Sequence, residues 1–557
     1  MTEPSRYRFG PLDRRGLIAG WRGGQIVTVV LGVAIAIVAL RSRPTVASVA
    51  IAVVSVIGSV ALATWPVAGR TGEEWLPTVT RFAAGALDGS HRRLSPLPGA
   101  GRVMGAGSAP PGRRGRAARS GIDLRGAPTR VPPTRVPPTR GAITWGPFAR
   151  GAATRGPFAG LDLLEVAGAE GAADIGIVHD ARARTYTAVV AVRGHSFALL
   201  GPADKEHRVG GWASVLASCS RERAAIHRVQ WLASSTPDDG GGARSYLAER
   251  AAVGTGHPAR RAYAELLTDL GPGSSRHDTH VVVQTRAPRR SGPRGATSTQ
   301  EACAVLVREL GSLCRRLEEI DLVVDGPLGP EALGALVRRS GQANGSRVNG
   351  AGDAAAHASR AIPEPTRDGP TSSLAPATER GPWSGPGRCP WPLSIQSSWD
   401  RVRTDATWSA TYWIAEWPRV EVGPDFLAPL LLGGARRTVA VVMEPLSPSR
   451  ATRQVEQART ADVADAELRR RGGFVSTARR QREAAVVRRR EVELADGHAS
   501  FRFSGYVTVT APTESSLVAA CDATEQAAAQ SYLELRRLFG DQERSFTYTL
   551  PLARGLS

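Results

Sequence analysis

The stretch R-H-D-T-H, residues 276–280, brings His277, Asp278 and His280 close together. Two imidazoles and a carboxylate could hold a metal ion or serve phosphodiester hydrolysis. The stretch opens the apolar run T-H-V-V-V-Q-T, however, and no second cluster of ligands accompanies it. A lone pair of His in a loop is common, and metal sites need three or four ligands, so the three residues read as structural. Glu416 and Glu444 fall on different expected strands, and nothing in their spacing pairs them as acid and base. The chain has a single lysine, Lys205, inside an expected helix, which rules out the phosphate-cradling loop G-x-x-x-x-G-K-[ST]. Neither H-E-x-x-H nor G-x-S-x-G occurs. The glycine-rich segment at 99–112 has no helix after it and fails as a dinucleotide fingerprint. Cys219, Cys303, Cys314, Cys389 and Cys521 are dispersed, without a C-x-x-C pair, and read as reduced packing residues. No catalytic, cofactor-binding or metal-ligating residue is assigned, and the chain reads as a non-enzyme without a cofactor.

The strongest signal is an element of another kind. Gly24 to Leu40 and Val46 to Trp65 are uncharged apolar runs separated by Arg41-Ser42-Arg43-Pro44-Thr45. Val46 to Trp65 is long enough for a hydrocarbon layer of roughly 30 Å, Gly24 to Leu40 is near the short end of that range, and helices satisfy their own backbone in lipid. Arginines directly after the first run argue against a cleaved signal peptide. Arg6, Arg8, Arg14, Arg15 and Arg22 precede the first run; only Arg41 and Arg43 lie between the runs; Arg70, Arg81, Arg92 and Arg93 follow. The positive-inside rule then places both termini in the cytoplasm, in a multi-pass protein of the inner (cytoplasmic) membrane. Arg14, Arg15, Trp21, Arg22, Arg41, Arg43 and Trp65 are the expected interface residues. Gly32 and Gly58 are the expected helix-packing positions, where small side chains permit close approach to other membrane subunits.

Charge is unevenly placed over the 557 residues, which carry 71 basic and 51 acidic side chains. Residues 1–160 hold 22 Arg against 6 acidic residues, a net of +16, and the remainder is close to neutral. Residues 92–155 hold thirteen Arg and one acidic residue, Asp123. Such a segment can attract anionic lipid or nucleic acid, or act as a solvated linker.

These features divide the chain into a basic N-terminus (1–23), a transmembrane hairpin (24–66, with helices 24–40 and 46–65) and a juxtamembrane segment (67–95). A Pro/Gly/Arg-rich linker (96–160) follows, containing P-T-R-V-P-P-T-R-V-P-P-T-R and reading as disordered. Then come an α+β subdomain (161–339), a second disordered linker (340–387) and a second α+β subdomain (388–557). Within the first subdomain, strands are expected in 173–180 and 184–200, with turns at Arg182 and Gly194, at 227–234, at 279–285 and, as a short strand, at 321–324; helices are expected at 204–223, around 243–270 and at 299–317. The second carries strands at 409–418, 437–444 and 499–511, a helix from about Glu514 to Leu538 and a last strand, R-S-F-T-Y-T-L. The fold class is α+β, with helices on mainly antiparallel sheet. Residues 449–494 read as a charged helical arm broken at Gly472-Gly473. Its Arg469, Arg470, Arg471, Arg488, Arg489 and Arg490 either form a solvated face or dock a partner.

The N-terminal Y-R-F-G-P-L-D-R-R-G-L-I-A-G-W-R-G-G-Q before the hairpin resembles an actinobacterial family of membrane proteins encoded with conjugation or type IV secretion components. The body stretches R-T-Y-T-A-V-V-A-V-R-G-H-S-F-A-L-L, S-S-W-D-R-V-R-T-D-A-T-W-S-A-T-Y-W-I-A-E-W-P, R-R-T-V-A-V-V-M-E-P-L and E-L-R-R-L-F-G-D-Q-E-R-S-F-T-Y-T-L-P-L-A-R-G-L resemble the N-terminal, non-motor domain of type IV secretion ATPases. The resemblance spans most of the chain outside 96–160 and 340–387, and this sequence stops where the motor would begin. It implies a membrane-anchored structural and coupling component of a conjugation or type IV-like secretion apparatus. Such a component would dock a separate ATPase, together with other inner-membrane subunits, in an oligomeric assembly. The alternative is a membrane-tethered nucleic-acid-binding protein that uses the Arg-rich tail at 92–155.

Overall fold

A computed structural model describes residues 23–42, 45–64, 72–89, 91–94, 145–150, 156–167, 173–194, 197–238, 241–250, 254, 256–270, 275–287, 299–341, 390–471 and 478–556. Arg14, Arg15, Trp21, Arg22, Arg43, Trp65, Cys389, the Gly472-Gly473 break and most of both expected linkers lie outside these residues.

The described residues begin with two apolar helices, α1 (Gly23–Ser42) and α2 (Val46–Thr64). Both are long and apolar enough to cross a membrane. They pack on one another, and α3 (Gly72–Leu87) and the short strand β1 (Arg92–Leu94) follow.

The body is built on one antiparallel sheet. Its N-terminal half contains β2 (Trp145–Arg150), β3 (Leu161–Val166), β4 (Ile175–Asp180), β5 (Thr185–Arg193), α4 (Pro202–Cys219), β6 (Ile226–Pro237), α5 (Gly241–Arg250), α6 (Pro258–Leu270), β7 (Ser275–Arg286), α7 (Thr299–Glu318), β8 (Val323–Pro327) and α8 (Pro330–Arg339). The C-terminal half contains β9 (Ser394–Ser397), β10 (Val402–Thr404), β11 (Thr407–Glu416), α9 (Ala428–Leu432), β12 (Arg437–Leu446), α10 (Pro448–Arg471), α11 (Ala478–Ala495), β13 (Ser500–Ala511), α12 (Glu514–Gln530), β14 (Glu534–Arg537) and α13 (Gln542–Phe546).

The sheet order is β1-β9-β10-β11-β13-β12-β6-β7-β5-β4-β3-β2, with β14 on β11 and β8 on β5. Read from the centre outwards, the two halves repeat one another. β6, β7, β5, β4, β3 and β2 match β12, β13, β11, β10, β9 and β1, and β8 matches β14. Each half also inserts a helical pair between corresponding strands, α5–α6 before β7 and α10–α11 before β13. The halves meet where β6 pairs antiparallel with β12, Val229 opposite Met443 and Ser235 opposite Arg437. This antiparallel junction relates them by an approximate two-fold. Strands from either side of the segment 340–387 thus belong to a single sheet.

Alternation along the strands separates two buried faces. Tyr186, Ala188 and Val190 of β5 and Val281 and Val283 of β7 face α4 and α7, whereas Val189 and Val282 face α8 and the C-terminal segment. α7 contributes Ala302, Leu306, Leu310, Leu313 and Leu317 at helical spacing. In the C-terminal half Ala410, Tyr412 and Ile414 meet Leu517, Cys521 and Ala528 of α12. Trp231 touches both helical-side cores and joins them across the junction. The opposite face of β11 and β13 is lined by hydroxyls that satisfy one another: Thr411 with Thr508 at 2.9 Å, Ser409 with Thr510 at 3.1 Å, and Thr549 with Thr508 at 2.7 Å.

Three expectations need correction. R-S-F-T-Y-T-L is not a strand: α13 covers Gln542–Phe546 and a 3₁₀ turn covers Thr547–Thr549. Hydroxyls of Ser545, Thr547 and Thr549 donate to carbonyls three or four residues back and hold the chain curled. The helix from Glu514 ends at Gln530, because Tyr532 takes a left-handed φ of 55° and turns the chain into β14. Finally, residues 145–150 of the first expected linker form β2 at a sheet edge, where Pro147 sits beside a bulge.

Candidate functional site

The apolar hairpin is stitched within the chain. Ser55 Oγ donates to Gly32 O at 3.0 Å, and Gln25 Nε2 donates to Ala63 O at 2.7 Å. A Cβ on Gly32 would fall 2.2 Å from Ser59 Oγ, so Gly32 packs closely against α2 of its own chain. Gly58 faces open space. Arg41 lies in the last turn of α1.

The hairpin is coupled to the sheet through α3. Trp75 stacks on Trp399 with ring centroids 5.8 Å apart, Phe82 meets Trp399 edge-on at 4.9 Å, and Phe539 lies 6.2 Å from Trp75. Gly540, at φ 72°, passes so close that a Cβ there would lie 2.7 Å from Trp399 and 2.8 Å from Thr78. His91 contacts Phe82 O through Nε2 at 2.9 Å, and β1 then pairs with β9, Arg92 opposite Gln396. An aromatic clasp, an Arg81–Asp541 pair at 3.9 Å and a short strand therefore tie the apolar helices to the C-terminal half among the described residues.

The residues picked out for chemistry do not converge on one site. His280 is buried on β7, and its Nδ1 has no hydrogen-bond partner among the described residues. Burial pulls its pKa down to about 4, against the opposing pull of Asp278. Asp278 pairs with Arg276 at 3.1 Å. Among the described residues no three His, Cys, Asp or Glu side chains group as metal ligands. Glu416 pairs with Arg419, and Glu444 with Arg228 at 3.3 Å, on separate strands. Lys205 of α4 reaches Asp425 at 3.1 Å and bridges the two halves. Burial raises the pKa of the thiols of Cys219, Cys303, Cys314 and Cys521, which suits packing and not nucleophilic chemistry.

The helical arm is an antiparallel pair, α10 and α11, closed by Arg459 on Glu491. Of its expected docking residues, Arg470 and Arg471 share Glu467, and Arg489 pairs with Glu493 at 2.8 Å. Arg488 and Arg490 are exposed. All of these pairs stand in solvent, where such pairs contribute little to stability.

Sequence reasoning missed a cleft of about 690 Å³ at the base of this arm. The end of α4, the start of β6, the end of β7 and the first turns of α7 and α10 converge on it. Arg221, Arg223, Arg286 and Arg450 line it together with Glu301 and Glu444. Arg228 neutralises Glu444 from the side, so the cleft is electropositive overall. Burial holds the pKa of His227 in its wall at about 4, and the charge of Arg228 presses the same way. Such a site favours carboxylate or phosphate groups. Its arginines come from segments spread over more than two hundred residues of an arginine-rich sequence, so no local pattern marks them.

No family model matches the chain, and no curated protein matches it.

Proposed function

We propose that this protein is a membrane-anchored docking subunit of a conjugation or type IV-like secretion apparatus, holding a separate ATPase at the inner face of the cytoplasmic membrane. The observation that carries this reading is the clasp of Trp75, Phe82, Trp399 and Phe539. It turns two apolar helices into a rigid mount for a large sheet, where a tether alone would need no such contact. The arginine distribution around the helices supports cytoplasmic termini. The arm and the electropositive cleft at its base both offer arginines to an acidic partner surface. Affinity purification of the tagged protein from detergent-solubilised membranes, with mass spectrometry of what accompanies it, tests the proposal. Recovery of a P-loop ATPase and further membrane subunits is expected; recovery of the protein alone would remove the docking role.

The charge of residues 92–155 favours a second reading, nucleic-acid binding near the membrane. On that reading, DNA affinity falls steeply with salt and disappears when this segment is removed.

A further inference from the structure

The surface of α3 divides into three lengthwise sectors. Trp75, Thr78, Phe82 and Gly85, at helical spacing, are partly covered, with Trp75 and Phe82 turned to the aromatic clasp. Thr80, Arg81, Ala84 and Asp88 form an exposed, largely polar sector. Leu76, Val79, Ala83, Ala86 and Leu87 form the third, which is wholly apolar, covers about 100° of arc and is exposed among the described residues. Leu76 is 63% exposed, Val79 44% and Leu87 88%. An amphipathic helix with one face on its own protein normally turns polar residues outward; this one turns out leucine and valine.

Position says what covers them. Only seven residues separate the end of α2 from the start of α3. The two helices touch there: a Cβ on Gly72 would fall 2.5 Å from Leu62. If α2 spans the bilayer, the first turn of α3 lies at its surface. We infer that α3 is an in-plane interfacial helix whose Leu76, Val79 and Leu87 enter the lipid headgroup–acyl boundary while Trp75 and Phe82 grip the sheet. This rests on the reading of α1 and α2 as membrane spans. A helix held on one side by lipid and on the other by the aromatic clasp fixes the tilt of the sheet against the membrane.

Site-directed spin labelling of the full chain in phosphatidylcholine–phosphatidylglycerol vesicles tests this. Labels are placed singly through Leu76→Cys, Val79→Cys and Leu87→Cys, through Thr80→Cys and Ala84→Cys on the polar sector, and through Ile51→Cys in α2, with the signal of the identically treated parent protein subtracted. All are surface positions, so the fold is not at stake. The expected result is an oxygen-to-nickel-chelate accessibility ratio severalfold higher at positions 76, 79 and 87 than at 80 and 84. Equal, water-like ratios at all five positions with a lipid-like ratio at 51 would overturn the interfacial helix and leave the spans standing. A water-like ratio at 51 as well would overturn both.

Discussion

Trp75 and Trp399, about three hundred residues apart in sequence, stack with their ring planes 22° from parallel. This contact carries the mechanical link between the apolar hairpin and the sheet. Trp399→Ala should lower stability by about 2–3 kcal/mol, at the low end for a large aromatic because the ring is only partly buried. A Trp75→Ala, Trp399→Ala cycle should show a coupling of about 1 kcal/mol. Urea titration of the solubilised protein measures both, and proteolysis after α3 should accelerate in step.

Arg228 also donates to Leu556 O at 2.7 Å and to Ala553 O at 3.3 Å while it holds Glu444. Both partners of the pair are mostly buried, with exposures of 17% and 12%. Glu444→Ala leaves a buried guanidinium without its counter-charge and should cost about 3 kcal/mol. Glu491→Ala, in the exposed pair with Arg459, should change stability by less than about 1 kcal/mol. Equal losses in denaturant midpoint would contradict the assignment.

His280 has its folded-state pKa at about 4, below its ordinary value, because burial disfavours the imidazolium. The unfolded chain therefore binds the extra proton first as pH falls. Stability should be fully present above the unfolded pKa of roughly 6.5 and decline as pH drops towards 4. His227 adds to the slope in the same window and direction. In a His280→Gln variant, thermal midpoints between pH 7 and pH 4.5 should vary less steeply than in the parent.

Removing residues 464–483, the outer end of the arm, leaves the buried base residues Ala451 and Val455 in place. The truncated protein should melt close to the parent, because surface excursions of this kind tolerate shortening. ATPase recovery in the affinity experiment should be lost. Undiminished recovery would move docking away from the arm.

Much of this architecture is legible in the sequence because burial imposes a period. The apolar stripe of α7 and the run T-Y-T-A-V-V-A-V-R of β5 declare themselves. So do the two uncharged apolar runs, whose composition leaves few alternatives. The repeat of the two halves is harder to see. T-Y-T-A at 185–188 and T-W-S-A at 407–410 open corresponding strands, but beyond them Val189 and Val282 give way to Thr411 and Thr508. One half closes its outer face with the apolar residues of α8, the other with the hydroxyl of Thr549, so the same topology is written in different chemistry. The clasp and the cleft were illegible for a simpler reason. Their members meet only through pairings such as β1 on β9 and β6 on β12, and no local spacing encodes those.

The pairing of Arg92 with Gln396 also sets a clock. β1 is synthesised early, yet its partner strand follows about 300 residues later, which at roughly 5–20 residues per second is on the order of 15–60 s. Through that interval the nascent chain carries an unpaired edge, and the central junction of β6 with β12 is also still open. Sheets closed by such distant contacts form slowly. The emerging halves must therefore stay soluble and apart from neighbouring copies until the last strands arrive. Early anchoring through α1 and α2 would hold each copy at its own site on the membrane while it waits.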